Sequence, residues 1–82
     1  MTSGPKQHAW LVGASSGMGL EVGRLLVAAG WKVTLSARDP ERLNLAATDI
    51  GAAPLALDVT DKEAVANCAN LLYAQHPPTL VL

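Results

Sequence analysis

Residues 13–19 read Gly-Ala-Ser-Ser-Gly-Met-Gly, and they lie between a short apolar run and a segment with helical periodicity. The apolar run, Ala9 to Val12, is typical of a parallel strand that is buried on both faces. Beyond the glycines, a helix is predicted from Met18 to Ala29, with Gly30 as its terminator. Apolar residues at i, i+3, i+4 and i+7 predict that one face of this helix packs inward: Val22, Leu25, Leu26 and Ala29.

The same alternation of strand and helix continues along the rest of the chain. Asp39 before Pro40 is a predicted N-cap, and Thr60 with Glu63 fits a capping box that begins a third helix. The predicted elements are a strand over 32–36, a helix from Pro40 to about Ile50 before Gly51, a strand over 54–57, a helix to about Gln75, and a strand over 79–82. Alternating elements of these lengths predict right-handed crossovers and a doubly wound α/β fold with a parallel sheet, in the strand order 3-2-1-4.

The glycine-rich run has the spacing G-x-x-x-G-x-G and is placed where a strand passes into a helix. Glycines there permit a tight turn and let a diphosphate approach the backbone, while the helix N-terminus offers free amides and a partial positive charge. This context favours nucleotide-phosphate binding. The alternative is a flexible glycine turn between packed elements. A Walker-type loop is excluded, because Leu20 and not lysine follows the last glycine.

Composition restricts the class of protein further. The 82 residues include six Lys and Arg against seven Asp and Glu, and no run of like charges indicates a nucleic-acid partner. The stretch from Gln7 to Leu20 is interrupted by glycines and serines, so no membrane span is predicted. A single cysteine, Cys68, suits a reducing compartment, which indicates a cytoplasmic protein.

Three segments together resemble the N-terminal part of the short-chain dehydrogenase/reductase family: Leu-Val-Gly-Ala-Ser-Ser-Gly-Met-Gly at residues 11–19, Ser-Ala-Arg at 36–38 and Leu-Asp-Val-Thr at 57–60. The resemblance implies a Rossmann-like doubly wound sheet of the form β-α-β-α-β-α-β. It also implies that residues 1–82 are the N-terminal part of a single NAD(P)-binding domain, without a second domain. One departure is Val12, since the family usually has threonine before the first glycine, where its hydroxyl supports the loop.

By the resemblance, the cofactor contacts fall on the three segments. The glycines form the phosphate turn, and the serines and methionine of the loop contact the ribose and diphosphate. Asp58 accepts from the adenine amino group and Val59 packs on the ring, although an exposed loop carboxylate is the alternative for Asp58. The cofactor-binding residues so implied are Gly13, Ser15, Ser16, Gly17, Met18, Gly19, Ala37, Arg38, Leu57, Asp58 and Val59.

The resemblance favours NADP(H) over NAD(H), with NAD retained as the alternative cofactor. Arg38 follows the second strand, and a guanidinium matches phosphate geometry with two parallel hydrogen bonds. Members that prefer NAD tend to have an acidic residue at the position of Ala37. Ser16 replaces the basic residue that many NADP-dependent members have in the loop. Asp39 could accept from the ribose hydroxyls, but its predicted role as N-cap occupies it. A solvated loop arginine is the alternative for Arg38.

Other reactive residue types are interpreted as structural. Cys68 lies near the apolar stripe of the third helix, with Val65, Leu71 and Leu72, and is expected in the core. Tyr73 is not the family's catalytic tyrosine, because Pro77 stands where the Tyr-x-x-x-Lys pair would need lysine. His8 and His76 lack partners at ligand spacing, so no metal site is expected. The tryptophans, Trp10 and Trp31, are expected to pack.

The leading hypothesis is the cofactor-binding portion of an NADP(H)-dependent oxidoreductase, which in the complete protein moves hydride between the nicotinamide and a carbonyl or alcohol substrate. The resemblance places the family's Asn-Asn-Ala-Gly segment and its catalytic Ser, Tyr and Lys beyond Leu82. We therefore expect a fragment or truncated product that is inactive alone and has no catalytic residues. A non-catalytic NAD(P)-binding module, such as a redox sensor or partner subunit, is the second hypothesis, and a non-functional truncation is the third. At this length, with apolar residues in the fourth strand, we also expect self-association or pairing with a missing C-terminal part.

Overall fold

The computed structural model describes residues 7–13 and 17–82. Strands and helices alternate along these residues, in the order β1 (His8–Val12), α1 (Gly17–Ala28), β2 (Lys32–Ser36), α2 (Pro40–Ile50), β3 (Ala53–Pro54), α3 (Lys62–Gln75) and β4 (Leu80–Val81). The four strands form one parallel sheet in the order β3-β2-β1-β4. The doubly wound α/β fold and its predicted strand order are therefore confirmed.

The sheet separates two apolar layers, because successive strand residues face opposite sides. Ala9 and Leu11 of β1 lie on the face covered by α1 and α2, together with the buried side of α2: Leu43, Ala46, Ala47 and Ile50. Trp10 lies on the other face, where Leu57 and Leu72 complete a smaller cluster under α3. Cys68, which is expected in the core, is only half-buried: it packs against this second cluster and is not one of its buried members.

Helix α1 packs differently from the prediction. Leu25, which the apolar period placed on the inner face, is 68% exposed, whereas Gly23 is buried. A Cβ atom at position 23 would lie 3.0 Å from Ile50 Cδ1 and 3.2 Å from Leu11 Cδ1. The missing side chain lets α1 approach β1 and α2 closely, and this rotates Leu25 away from the sheet.

The predicted start of α3 is also corrected. Asp61 and not Thr60 is the N-cap, and its carboxylate accepts from the amide of Ala64 at 3.1 Å. The hydroxyl of Thr60 is occupied by Asp58, to which it donates at 2.7 Å, so the capping box does not form. Asp39 caps α2 as predicted, and the amide of Glu41 donates to it at 3.1 Å.

Strand β3 is shorter than predicted, but the chain stays paired beyond it. Pro54 has no amide hydrogen to donate, and after it the amides of Leu55 and Leu57 donate to the carbonyls of Leu35 and Ala37 at 2.8 and 2.9 Å. Pairing therefore extends to Leu57, the residue before Asp58. Across the part of the chain that the structure describes, no helix has both the length and the apolar character needed to cross a membrane.

His8 is buried at the amino end of β1, with 1% of its surface exposed. Its Nδ1 atom lies in hydrogen-bonding contact with the carbonyl of His76, which can only accept, so Nδ1 carries the proton. Its Nε2 atom then accepts from the Thr34 hydroxyl at 2.8 Å. Burial of the ring lowers the pKa of His8 below its ordinary value of 6.5; the hydrogen bond to the His76 carbonyl opposes this shift, and the electrostatic effects of His76 and Lys32 add to it.

This burial predicts a loss of stability at mildly acidic pH. Between the lowered pKa of the folded state and 6.5, the unfolded chain binds more protons than the folded one, so the free energy of unfolding falls as pH falls. The slope should not exceed about 1.4 kcal/mol per pH unit. Urea unfolding at several pH values between about 7.5 and 5.5 measures it, in the titration range of histidine.

His8→Gln should remove most of this slope, because glutamine does not titrate. His76→Gln is the matched control: it keeps the backbone carbonyl that bonds to His8 and should retain most of the slope, losing only the part that comes from the electrostatic effect of the His76 ring. Equal slopes for the unmodified chain and His8→Gln would contradict the assignment.

Candidate functional site

The carboxyl ends of three adjacent strands are aligned by backbone hydrogen bonds. Val12 lies opposite Ser36 in the β1–β2 register, and the next amide, that of Gly13, donates to the Ser36 carbonyl at 2.6 Å. On the other side of β2, the Ala37 carbonyl accepts from Leu57. Gly13, Ala37 and Leu57 therefore leave the sheet side by side, as expected where parallel strands end at one edge.

A cavity of about 190 Å³ opens at this edge. Six of its seven lining residues are among those predicted from the sequence, and the seventh is Thr60: Gly13, Ala37, Arg38, Leu57, Asp58, Val59 and Thr60. Ala37 and Leu57 are buried, at 7% and 5% exposure, whereas Val59 is 58% exposed. The cavity thus combines an apolar floor with one cationic and one anionic side chain, which are those of Arg38 and Asp58.

A second cavity, of about 250 Å³, lies beside the first, and Gly13 lines both. Its walls come from the start of α1 and from the ends of β1 and β4: Leu11, Val12, Gly13, Met18, Gly19, Val22 and Leu82. Gly13 and Gly17 have φ of 76° and 69°, in the left-handed region that side chains other than glycine rarely adopt. The predicted contacts at Ser15 and Ser16 fall outside the described residues.

The carboxylate of Asp58 is held ionised by its neighbours. Donation from the Thr60 hydroxyl is the main cause that lowers the pKa of Asp58, followed by the Thr60 amide, while burial opposes them and the positive charge of Arg38 adds to the lowering. Asp39 is not among the residues that line the cavity; its carboxylate accepts hydrogen bonds from the first amides of α2. Asp58 is therefore the carboxylate that lines the cavity together with Arg38.

The start of the glycine loop is held without the threonine hydroxyl that the family usually supplies at the position of Val12. The amide of Val12 donates to the Leu82 carbonyl at 2.8 Å, and the amide of Gly13 donates to Ser36. The hydroxyl of Ser36 in turn accepts from the Trp10 indole at 2.8 Å, and both side chains are buried. Ser36 thus connects the loop to the cluster under α3.

Sequence reasoning missed two of these residues. The sequence pattern predicts Thr60 as a helix cap, although an Asp followed two residues later by Thr also fits a turn in which the Asp carboxylate bonds the residue two positions on. Trp10 was interpreted as packing only. Its hydrogen bond to Ser36 depends on the β1–β2 register, so no local pattern in the sequence indicates it.

Comparison with known proteins supports the fold described above. A family model described as short chain dehydrogenase matches residues 7–82. Galactitol 2-dehydrogenase (L-tagatose-forming) of Cereibacter sphaeroides is 38% identical over 77 residues, which are 90% of this chain and 30% of that protein.

Two solved structures show the same fold at similar identity. A short-chain dehydrogenase from Streptomyces avermitilis is 33% identical with a TM-score of 0.82, over 90% of this chain and 28% of that one. A metagenomic short-chain oxidoreductase in complex with NADP is 35% identical with a TM-score of 0.80, over 85% of this chain and 34% of that one. The chain spans 24% to 30% of the length of the curated relatives that it matches.

The Trp10–Ser36 contact predicts a coupled loss of stability. Ser36→Ala leaves the buried indole N–H without an acceptor, which should lower the free energy of unfolding by about 1–3 kcal/mol. Trp10→Phe removes the donor and some packing. The double variant should lose less than the sum of the two single losses, because it leaves no buried donor unpaired. Urea unfolding measures all three, and strictly additive losses would show that the bond contributes nothing.

Proposed function

We infer a function from the family to which this chain belongs, that of the short chain dehydrogenases. We propose that residues 1–82 form the N-terminal, cofactor-binding part of a single NAD(P)-binding domain. The observation that carries the proposal is the cavity at the carboxyl ends of β1, β2 and β3. It brings Gly13, Arg38 and Asp58 together from three separate segments of the chain. The reaction proposed for the complete protein is hydride transfer between a nicotinamide and a carbonyl or alcohol carbon.

The residues present fit the adenosine half of such a cofactor. Leu57 and Val59 offer apolar surface to a purine ring, and the ionised Asp58 can accept from its amino group. Gly13 has open space where a Cβ would stand, so a phosphate can approach the backbone there. When bound, the nicotinamide would carry the hydride; the described residues would bind and orient the dinucleotide.

We propose NADP(H) as the preferred cofactor, and NAD(H) as the weaker one. Arg38 lines the cavity beside Ala37, which has no carboxylate to hold the ribose hydroxyls. The metagenomic relative in complex with NADP supports this choice. Asp39, the carboxylate that would favour NAD, is engaged with amides of α2 at 3.1 and 3.4 Å.

Turnover by these 82 residues alone is not expected. The one tyrosine of the sequence, Tyr73, is 53% exposed on α3 and is followed four residues later by Pro77, so it forms no Tyr-x-x-x-Lys pair. Among the described residues that line the two cavities, none is a tyrosine or a lysine that could supply a proton to a carbonyl oxygen.

Arg38→Ala tests the choice of cofactor. Loss of a charge-assisted bond to the 2′-phosphate costs about 1.5–3 kcal/mol, so NADP⁺ binding should weaken roughly ten- to a hundredfold. Binding of NAD⁺, which lacks that phosphate, should change little. Isothermal titration calorimetry with both dinucleotides measures the two affinities.

Arg24→Ala is the matched control. Arg24 is an arginine of α1 whose guanidinium pairs with Glu21 and Asp49 outside both cavities, so its removal should leave both affinities unchanged. Equal weakening of NADP⁺ and NAD⁺ by Arg38→Ala would refute the phosphate role.

We also propose association through the outer edge of β4. Among the described strands, β4 pairs with β1 alone, and Val81 and Leu82 are 48% and 60% exposed. An unpaired apolar strand edge is a template for another strand. The partner is a second copy of the chain or a further part of the same protein.

Light scattering over a range of concentrations checks this association. The apparent mass of the 82-residue chain should rise with concentration, and Val81→Lys should suppress the rise by placing a charge at the edge. Leu45→Lys, at a 75% exposed apolar position on α2, should not suppress it. A monodisperse monomer at every concentration would disprove the proposal.

A further inference from the structure

Thr60 donates two hydrogen bonds to the same oxygen atom of Asp58. Its amide donates to Oδ1 of Asp58 at 3.0 Å, and its hydroxyl donates to the same oxygen at 2.7 Å. The turn is closed by the amide of Asp61, which donates to the Asp58 carbonyl at 3.0 Å. Among the described residues, the hydrogen bonds to the Asp58 side chain all end on Oδ1, so Oδ2 is the oxygen available to a ligand.

The hydroxyl of Thr60 is available for this contact because it has no part in the helix that follows. Asp61 caps α3 through its own carboxylate, and Thr60 lies one residue outside the helix. Thr60 also lines the same cavity as Asp58. The contact therefore acts on the cavity wall.

We propose that Thr60 is a positioning residue that fixes the Asp58 carboxylate so that Oδ2 accepts a hydrogen bond from the exocyclic amino group of an adenine. The inference rests on the proposed function, since it assumes that a dinucleotide occupies this cavity. It assigns to the Thr60–Asp58 pair the selection of adenine over purines that have a carbonyl at that position.

The discrimination follows from hydrogen-bond chemistry. An ionised carboxylate only accepts, and the adenine amino group only donates, so the two match. Hypoxanthine has a carbonyl oxygen in place of the amino group, and two acceptors cannot bond to each other. Without the Thr60 hydroxyl, Oδ1 keeps only the bond from the backbone amide, so the Asp58 side chain is less restricted and binding must bear part of the entropy of fixing it.

The test compares NADP⁺ with nicotinamide hypoxanthine dinucleotide phosphate by titration calorimetry on the full chain. The unmodified chain should bind NADP⁺ about tenfold more tightly or better, the range for a hydrogen bond to a charged group. Thr60→Val keeps the shape and the backbone amide but removes the hydroxyl. It should lower the ratio of the two affinities by about threefold or more, since part of the orientation is lost.

Thr60→Ser is the conservative control and should retain the ratio. A second readout needs no nucleotide: carboxyl ¹³C NMR should show a higher pKa for Asp58 in Thr60→Val than in the unmodified chain, and no change in Thr60→Ser. A purely structural role for Thr60 would change stability without moving either the ratio or this pKa in a folded variant.

Each outcome tests a different part of the proposal, either the role of Thr60 or the adenine site itself. If Asp58→Asn abolishes the preference for adenine while Thr60→Val leaves it intact, the inference about Thr60 fails and the proposed site stands. An unchanged Asp58 pKa in Thr60→Val overturns the inference whatever the nucleotide results. If the unmodified chain binds both dinucleotides equally and Asp58→Asn has no effect, the adenine site itself is wrong, and the inference falls with it.

Discussion

The parallel register of β1 against β2 is the constraint on which the rest of the structure depends. Val12 lies opposite Ser36, so the chain leaves both strands at the same level, and Gly13 bonds back to Ser36. Leu11 and Leu35 fix this register from one face and Trp10 from the other. A slip of one residue would exchange the two faces and bury the wrong side chains under the helices.

The residues of the proposed binding site lie at strand ends that are distant in sequence. β1 leads to the glycine turn, β2 to Arg38, and the extended segment after β3 to Asp58. Backbone hydrogen bonds between neighbouring strands bring these groups together, whereas Thr60 orients Asp58 locally. The sheet therefore sets where these groups lie, and short-range hydrogen bonds set how the Asp58 carboxylate is oriented. This is expected of a site that is built on rigid elements.

Sequence reasoning predicted the features that depend on local chemistry and strong periodicity. The inner face of α2 and its Asp39 cap are confirmed. It failed where contacts between distant parts of the chain determine the packing. The spacing of apolar residues in α1 does not show that the helix approaches β1 and α2 most closely at Gly23. It therefore predicts a buried Leu25, which is exposed in the structure. At α3, Thr60 and Asp61 are both good caps, and the competing acceptor on Asp58 settles the choice.

We expect a dinucleotide to bind at the carboxyl ends of β1, β2 and β3. Amide ¹H–¹⁵N NMR during an NADP⁺ titration of the full chain tests it most directly. The largest changes in chemical shift should fall at Gly13, Arg38 and Asp58. The shifts of His8 and Thr79, which lie at the amino ends of β1 and β4, should stay unchanged. Saturable changes centred on His8 and Thr79, with Gly13, Arg38 and Asp58 unmoved, would contradict it.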